Sequence, residues 1–410
     1  MKTLGMIVEY NPFHNGHKYL IDTAKERTGA DCVIAVMSGD FLQRGGPAFM
    51  SKYDRTHMAL LNGVDLVFQL PVVFSTASSE YFAAAGVSIL DKLNVDYMAF
   101  GCENDDYDAL YSLANTLVYE PIEYCNELKK QLRLGYSYPH ARNIALDKYT
   151  GNNNLSLLSP NNILGIEYLK ALIRRNSSIE PILVKRIGEG YHSKNIDSLF
   201  CSASAIREAI YNMTSVTELN LPKNIEDIIY RKFTHSMPIE TDDLSVIFNY
   251  KLLDLIAHNP DKISTYQDMN PAIAAKIINE YSTFTYLSTF INTLKTKNFT
   301  HTRISRALLH MLLEITSEDF DEYCKNDYCN YARILGFTSK GQEFLSQNKK
   351  LESIKFITKP ANAKSTLTGL DLKMFNTDVF ANSIFNQIEF EKFGAEFFHE
   401  LTMQPLMLTD

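Results

Sequence analysis

Short apolar runs alternate with amphipathic helical segments through the first half of the chain. Continuous apolar strands separated by helices are typical of βαβ units and of a parallel sheet covered on both faces. We therefore predict a Rossmann-like α/β fold for residues 1–215. The predicted strands are Leu4–Val8, Cys32–Met37, Asp65–Leu70, Val95–Phe100 and Pro181–Lys185.

The second half of the chain has a different pattern, in which amphipathic helices follow one another. One strand-like run, Ser353–Thr358, stands among the last residues. We place a boundary within Thr214–Pro222 and predict that residues 216–410 form a mainly α-helical region. The predicted helices include Ile225–Phe233, Leu244–His258, Ile273–Thr283 and Ile304–Thr316.

Composition narrows the class of protein. The 410 residues are 45% hydrophobic and 21% charged, a balance typical of globular proteins that excludes a disordered chain or a collagen-like fibre. The net charge of −8 argues against a protein that coats nucleic acid non-specifically. Six scattered cysteines indicate reduced thiols. Without a secretory signal pattern or a long apolar run, we expect a soluble cytoplasmic protein with no membrane partner.

The most informative motif follows the first predicted strand and reads Glu9-Tyr10-Asn11-Pro12-Phe13-His14-Asn15-Gly16-His17. Ligands of open α/β sheets bind beyond the carboxyl ends of the strands. A helix that begins there offers unpaired N–H groups to a phosphate, and Gly16 lets the backbone approach it closely. Two imidazoles can stabilise charge that develops on phosphorus-bound oxygens.

Other interpretations of the histidine pair stay open. His14 and His17 could be structural hydrogen-bond partners or surface residues. A zinc site would need further ligands that the neighbouring sequence does not supply, so we predict no resident metal. The sequence also lacks the glycine-rich fingerprints of dinucleotide-binding and P-loop proteins. The position of the motif after the first strand favours phosphate binding.

The histidine motif resembles the HxGH signature of the nucleotidylyltransferase superfamily. Its members activate ATP at the α-phosphate and release pyrophosphate. A second superfamily signature, which holds the β- and γ-phosphates, resembles Ser202-Ala203-Ser204-Ala205-Ile206-Arg207. Hydroxyl groups and N–H groups at a helix start, followed by an arginine, suit a triphosphate. Without the first motif, the same segment would be an ordinary helix cap with a surface arginine.

Further motifs are similar to those of one family, the bacterial tRNA(Met) cytidine acetate ligases. The similarity continues from the catalytic half into the helical half. The stretches that carry it are 37–45, 59–60, 63–67, 100–104, 159–165 and 302–306.

The resemblance implies an ATP-dependent ligase. Acetate attacks the α-phosphate of ATP to give acetyl-adenylate and pyrophosphate, and the acetyl group then passes to the wobble cytidine of elongator tRNA(Met), forming N4-acetylcytidine. Mg²⁺ is expected with the phosphates. His14 and His17 are the implied catalytic residues. The implied ATP-binding residues are Ile7, Val8, Glu9, Tyr10, Asn11, Pro12, Phe13, His14, Asn15, Gly16, His17, Lys18, Tyr19, Leu20, Gly101, Asn161 or Asn162, Arg186, Ser202, Ser204 and Arg207.

The sequence departs from the family pattern at four positions. Gly46 and Gln69 stand where glutamate is common, Cys102 where serine is usual, and Ala205 where serine or threonine is usual. The missing carboxylates leave the detailed contacts of this loop open.

A local basic stretch on an acidic protein suggests where RNA binds. Residues 281–313 contain no Asp or Glu. Arg303 and Arg306 are three residues apart and share a helix face, and Phe299 could stack on a base. A solvated helix face is the alternative interpretation. The predicted tRNA-binding residues are Lys295, Lys297, Arg303 and Arg306, with Arg44, Lys52 and Arg55 beside the active site.

Two other classes of function stay open from the sequence. A small-molecule adenylyltransferase that joins AMP to a phosphorylated cofactor precursor shares the histidine motif, but has no use for a large helical region. A non-catalytic RNA-binding protein with a relict nucleotide pocket would tolerate loss of either histidine. Acyl specificity and oligomeric state are not readable from residue spacing.

Overall fold

The computed structural model describes residues 1–136, 138–151, 159–187, 201–212, 221–296 and 299–409. The strands in chain order are β1 (Thr3–Val8), β2 (Cys32–Ser38), β3 (Leu66–Leu70), β4 (Tyr97–Cys102), β5 (Glu180–Lys185), β6 (Tyr331–Thr338), β7 (Lys355–Ile357) and β8 (Leu406–Leu408). They form one sheet in the order β8-β6-β3-β2-β1-β4-β5, with β7 also paired to β6. A short hairpin, 41–47, follows β2.

The first half of the chain contains helices that pack around the sheet and against one another. They are α1 (Asn15–Thr28), α2 (Lys52–Leu60), α3 (Ser79–Lys92), α4 (Tyr107–Tyr119), α5 (Ile122–Arg133), α6 (Tyr138–Thr150), α7 (Pro160–Arg175) and α8 (Ala203–Tyr211). The second half adds α9 (Lys223–Lys232), α10 (Ser245–His258), α11 (Pro271–Glu280), α12 (Leu287–Leu294), α13 (His301–Leu312), α14 (Ser317–Lys325), α15 (Ser339–Gln347) and α16 (Gly369–Phe393).

The first five strands are parallel, as predicted. β1 pairs with β2 on one side and with β4 on the other, and all of these neighbours run in the same direction. Alternate residues of β1 enter different hydrophobic clusters, with Ile7 on one face and Met6 on the other. Both faces are therefore buried, which explains why the strands have no polar alternation.

The order of the strands creates a crevice beside β1. The chain proceeds from β1 to β2 and β3 on one side, and then crosses to β4 and β5 on the other. The connections that leave β1 and β4 therefore turn in opposite directions, and such a switch point leaves room for a ligand at the carboxyl ends of the strands.

The predicted α/β class and the mainly helical second half are confirmed, but two strands of the sheet, β6 and β8, were not predicted. β6 lies antiparallel to β3 and extends the parallel sheet with residues from the second half. Its sequence contains Arg333 and Gly336, which interrupt the apolar pattern that would indicate a buried strand. Arg333 is tolerated inside because it pairs with Glu400. The division between residues 215 and 216 stays a prediction, since residues 213–220 lie outside the described part of the chain.

Candidate active site

A cavity of about 550 Å³ opens at the carboxyl ends of β1 and β4, at the switch point of the sheet. Its lining comes from the turn between β1 and α1, the end of β4, one face of α7, the end of β5 and the start of α8. Both sequence motifs therefore meet at one cavity, although about 190 residues separate them along the chain.

The two histidines of the first motif are fixed by the start of α1. His14 is the N-cap residue, and its Nδ1 accepts a hydrogen bond of 3.0 Å from the backbone N–H of Gly16. The Nδ1 atom of His17 accepts from the backbone N–H of His14 at 3.3 Å. The rings stack with their centroids 3.7 Å apart. Each imidazole thus replaces a missing intrahelical partner.

This arrangement determines the protonation state of both rings. Burial lowers the pKa of His14 to about 3, and the positive charges of Arg186 and Arg207 act in the same direction. Burial, His14 and Arg186 hold the pKa of His17 well below its usual value. A neutral imidazole carries one proton; with Nδ1 engaged as an acceptor, that proton is on Nε2. The cavity is therefore lined by two neutral Nε2–H donors.

The second motif contributes an arginine that joins it to the first. Arg207 donates to the carbonyl oxygen of Asn11 at 2.6 Å and to the hydroxyl oxygen of Ser204 at 3.3 Å. Ser202 caps α8 by accepting from the N–H of Ala205 at 3.1 Å. A guanidinium and a helix start with cavity-lining hydroxyl groups form a suitable anion site.

The opposite wall of the cavity contains Gly101 and Arg186. The backbone N–H of Arg186 donates to the carbonyl oxygen of Cys102 at 2.9 Å, which continues the β4–β5 ladder by one residue. A Cβ atom at position 101 would lie 3.4 Å from the Arg186 side chain. Glycine therefore leaves the backbone of β4 open towards the cavity.

The structure separates the two asparagines that the sequence left as alternatives. Asn161 lines the cavity, and its amide donates to Glu103 at 2.5 Å. Asn162 is fully buried, and its side-chain oxygen accepts from the N–H groups of Glu103 and Asn104 at 2.8 and 3.3 Å. Asn162 thus shapes the loop after β4, whereas Asn161 is placed to contact a ligand.

Most of the predicted nucleotide-binding residues line the cavity, and a few do not. Phe13 is buried beneath the site, while the exposed Lys18 pairs with Asp22 on the surface of α1. The predicted residues that line the cavity are Ile7, Val8, Glu9, Tyr10, Asn11, His14, Gly16, His17, Tyr19, Leu20, Gly101, Asn161, Arg186, Ser202, Ser204 and Arg207. Those outside its lining are Pro12, Phe13, Asn15, Lys18 and Asn162.

Sequence reasoning missed an apolar wall of the cavity. Leu164 and Tyr168 lie on the same face of α7 as Asn161, and Phe82 comes from the first turn of α3. The spacing 161, 164, 168 is a helical signal that could have been found. The hairpin residues Leu42 and Gln43 also line the cavity.

Two predicted RNA contacts are wrong because their side chains are buried. Lys52 is 0% exposed and lies 3.4 Å from Asp40 and 2.5 Å from Glu400. Arg55 is also 0% exposed and donates to the carbonyl oxygens of residues 9, 38, 39 and 50. Both cations satisfy internal acceptors of the loop after β2, so neither presents charge to a phosphate.

The predicted basic helix face is partly buried. Arg306 is 9% exposed and pairs with Asp268 at 2.7 Å, so its prediction as an RNA contact is also wrong. Arg303 is half-buried above the Phe299 ring. Lys295 is exposed, and Arg44 is exposed at the cavity. Lys297 lies outside the described residues.

The departures from the family pattern have local explanations. Cys102 is buried, and its thiol contacts the carbonyl oxygen of Val184. Ala205 is buried and interacts with Ser202 through its backbone. Gly46 lies in the hairpin, where a Cβ would meet Thr241 at 3.4 Å. The side chain of Gln69 is buried beside Gly39, and its Oε1 atom has no partner among the described residues.

Within the described ranges, no helix is long and apolar enough to cross a membrane.

Comparisons with known proteins agree with this geometry. Residues 1–396 match the family described as HIGH Nucleotidyl Transferase. A tRNA(Met) cytidine acetate ligase of Acetivibrio thermocellus is 40% identical, covering 97% of this chain and 98% of that protein. An enzyme of the same name from Thermoanaerobacter is also 40% identical, over 94% and 95%.

Two crystal structures of TmcAL from Thermotoga maritima are similar along the whole chain. The apo form has a TM-score of 0.92 and the form bound with alpha-thio ATP has 0.90, each with 31% identity and 100% coverage of both chains. Because the relatives match from end to end and the histidine and arginine motifs meet at one cavity, the chain belongs to the tRNA(Met) cytidine acetate ligase family of HIGH nucleotidyl transferases.

Proposed function

We propose that the protein is an ATP-dependent ligase that acetylates the wobble cytidine of elongator tRNA(Met). Acetate would attack the α-phosphate of ATP, releasing pyrophosphate and forming acetyl-adenylate. The acetyl group would then pass to the exocyclic amine of the cytidine, giving N4-acetylcytidine and AMP. The proposal rests on family membership and on the site geometry together.

The observation that carries the first half-reaction is the pair of neutral imidazoles. Both rings line the same cavity as Arg186 and Arg207, and each keeps an Nε2–H group as a donor. Attack on the α-phosphate increases negative charge on its oxygens, and donors that are already oriented stabilise that charge without reorganisation. The arginine of α8 and the start of that helix suit the β- and γ-phosphates. These groups would therefore stabilise the pyrophosphate leaving group.

Mg²⁺ is expected to accompany ATP. Among the described residues, no three His, Cys, Asp or Glu side chains converge as a ligand set. The cavity is lined by many donors but few carboxylates, which suits an ion held mainly by phosphate oxygens and water. Such an ion would neutralise charge on the triphosphate.

The RNA-binding surface that we propose consists of Lys295, Arg303 and Arg44. Arg303 lies with its guanidinium 5.7 Å from the centre of the Phe299 ring, so a cation and an aromatic face stand together. Lys297 stays in the proposal from the sequence alone. An anticodon loop is single-stranded, so its cytidine can be turned out towards the cavity. Because ATP and tRNA are its proposed substrates, we expect the protein to act in the cytoplasm.

The first test is ATP–pyrophosphate exchange with and without acetate, before any RNA is added. Exchange that requires acetate supports acetyl-adenylate formation. Addition of unmodified tRNA(Met) should then yield N4-acetylcytidine, measured by nucleoside mass spectrometry. If neither acetate nor tRNA(Met) supports exchange, the acetate-ligase proposal fails. AMP transfer to a phosphorylated small molecule would then be the alternative to test.

A pair of histidine variants makes this test specific. His17→Ala should lower exchange by about 10²-fold or more, because it removes one charge-stabilising donor. His57→Ala is the matched control, since His57 is exposed on α2 and does not line the cavity. Normal exchange in His17→Ala would contradict the assigned role of the histidine pair and favour a relict nucleotide pocket.

A further inference from the structure

Glu9 occupies a distinctive place in the cavity. It follows β1 directly, and it is the one acidic side chain among the described residues that line the cavity. Its Oε1 atom accepts from the backbone N–H of Gln43 at 2.9 Å. Its carbonyl oxygen accepts from Arg55 at 2.7 Å. The hairpin therefore holds the carboxylate, and a buried arginine holds the backbone of the same residue.

The proposed acetyl transfer releases a proton that needs an acceptor. The amine nitrogen forms a bond to the acetyl carbon, and the bond between that carbon and the adenylate oxygen breaks. AMP leaves as the phosphate anion, so one N–H proton must go elsewhere. The amine of cytidine is conjugated with the ring and is a weak nucleophile, so removal of the proton as the N–C bond forms lowers the barrier.

The two histidines are unsuited to accept this proton. The Nδ1 lone pairs of both rings already accept backbone N–H groups at the start of α1. The Nε2 atoms carry the ring protons. Burial and neighbouring positive charges also disfavour a second proton, since they lower the pKa of His14 to about 3. The rings can donate to phosphate oxygens but have no lone pair to offer.

Other carboxylates near the site are committed to internal partners. Glu103 accepts from Ser159 at 2.7 Å and from Asn161 at 2.5 Å. Asp40 accepts from the backbone N–H of Lys52 and from Asn382, each at 2.9 Å. Neither residue lines the cavity. Glu9 is the remaining carboxylate that a bound substrate could reach.

We propose that Glu9 accepts the proton of the attacking amine during acetyl transfer. This inference rests on the proposed function, because it assigns a role within the second half-reaction. The N–C bond forms, the acetyl C–O bond of the adenylate breaks, AMP departs with the electron pair, and the proton passes to the Glu9 carboxylate.

The test separates the two half-reactions in a Glu9→Gln variant. Glutamine retains an oxygen that can accept from the Gln43 N–H, so the hairpin should keep its position. Because Glu9 also lines the ATP cavity, we expect acetate-dependent ATP–pyrophosphate exchange to fall, but by a far smaller factor than acetyl transfer does. Transfer from pre-formed acetyl-adenylate to tRNA(Met) in a single turnover should fall by about 10²- to 10⁴-fold.

Two further variants control for a purely structural effect. Glu26→Gln makes the same chemical change at an exposed position of α1 and should leave both half-reactions unchanged. Glu9→Asp should recover part of the transfer rate that Glu9→Gln loses, because a carboxylate is still present to accept the proton. Thermal unfolding of Glu9→Gln should match wild type.

Each remaining outcome overturns the inference. Wild-type transfer in Glu9→Gln would mean that water or the departing phosphate takes the proton. An equal loss of exchange and transfer would place Glu9 in ATP or acetate binding. A wild-type enzyme that shows neither half-reaction would instead refute the proposed function itself, and the inference with it.

Discussion

The Ser305 hydroxyl group donates a hydrogen bond of 2.8 Å to the carbonyl oxygen of Gly45. Gly45 lies in the hairpin that lines the cavity, and Ser305 lies on α13 between the two arginines of the basic stretch. The helix predicted to face RNA is therefore in direct contact with the active-site hairpin. A shift of either element would therefore displace the other.

This contact predicts that Gly45→Ala is strongly destabilising. Gly45 has φ of 82°, and a Cβ there would lie 2.4 Å from the backbone nitrogen of Arg306. Left-handed strain costs about 1 kcal/mol or more, and overpacking against backbone adds about 1–3 kcal/mol. Urea denaturation should show the loss, and exchange activity should fall because the hairpin moves.

Gly135→Ala is the matched control for that measurement. Gly135 has φ of 87°, but a Cβ there would meet no atom within 4 Å among the described residues. Gly135→Ala should therefore show only the free-energy cost of placing alanine in a left-handed backbone conformation. Equal destabilisation by the two substitutions would mean that the hairpin and α13 separate without cost.

The lowered histidine pKa values predict how the first half-reaction depends on pH. His14 and His17 stay neutral at pH 6 in the folded protein, so their protonation should not slow exchange between about pH 8 and pH 6. Nitrogen NMR of labelled histidine should show both rings protonated at Nε2 only. A decline in exchange centred near pH 6.5 that is absent from His14→Asn would contradict the assignment.

The same shift has a consequence for stability. The unfolded chain takes up protons on these rings near pH 6.5, whereas the folded chain does not. The unfolded state therefore binds more protons below that pH, and the free energy of unfolding falls as the solution is acidified from pH 6.5 towards the folded pKa. Chemical denaturation at pH 7.5 and 5.5 should show lower stability at the lower pH.

The sequence predicted the elements whose formation depends on residues that are close together in the chain. The apolar runs that became β1 to β5 and the helix that follows the first strand depend on neighbouring residues, and both were found at about the expected places. Lys52 and Arg55 were assigned to the surface because a charged side chain usually lies there. The burial of Lys52 depends on a partner as distant as Glu400, and that of Arg55 depends on four backbone carbonyl groups. Residue spacing reveals neither set of partners.

β6 was missed for the same physical reason. Arg333 interrupts its apolar pattern, yet the arginine donates to Glu400 and to the Tyr53 hydroxyl oxygen. Glu400 lies 67 residues away along the chain. The cavity wall from α3 and α7 likewise depends on tertiary packing, although its helical spacing is visible once the helices are known.

We predict that substitution of Glu400, which does not line the cavity, strongly lowers the stability of the protein. Glu400 is fully buried and pairs with both Lys52 and Arg333. Glu400→Ala would leave the buried Arg333 without its counter-ion and Lys52 with Asp40 alone, and should lower the free energy of unfolding by about 3–5 kcal/mol. Asp22→Asn breaks an exposed pair with Lys18 and should cost less than about 1 kcal/mol. Similar losses from both would contradict the buried network.

The contribution of the Glu400 carboxyl group to stability also changes with pH in a defined direction. Burial tends to raise its pKa, but Lys52 and Arg333 outweigh burial and hold the pKa below its usual value. Its stabilising contribution is therefore present above about pH 4.5 and is lost as the pH falls through the folded pKa. Acid unfolding of wild type should include this loss, and Glu400→Gln should lack it.

The proposed RNA surface predicts a particular dependence of binding on salt. Lys295 is exposed, so Lys295→Ala should weaken binding of tRNA(Met) and lower the slope of log affinity against log salt by about 1. Lys340→Ala is the control, because Lys340 is exposed near the amino end of β2, opposite to the cavity. Its substitution should leave the slope unchanged. Equal slopes for both variants and wild type, measured by filter binding, would place the RNA on another face of the protein.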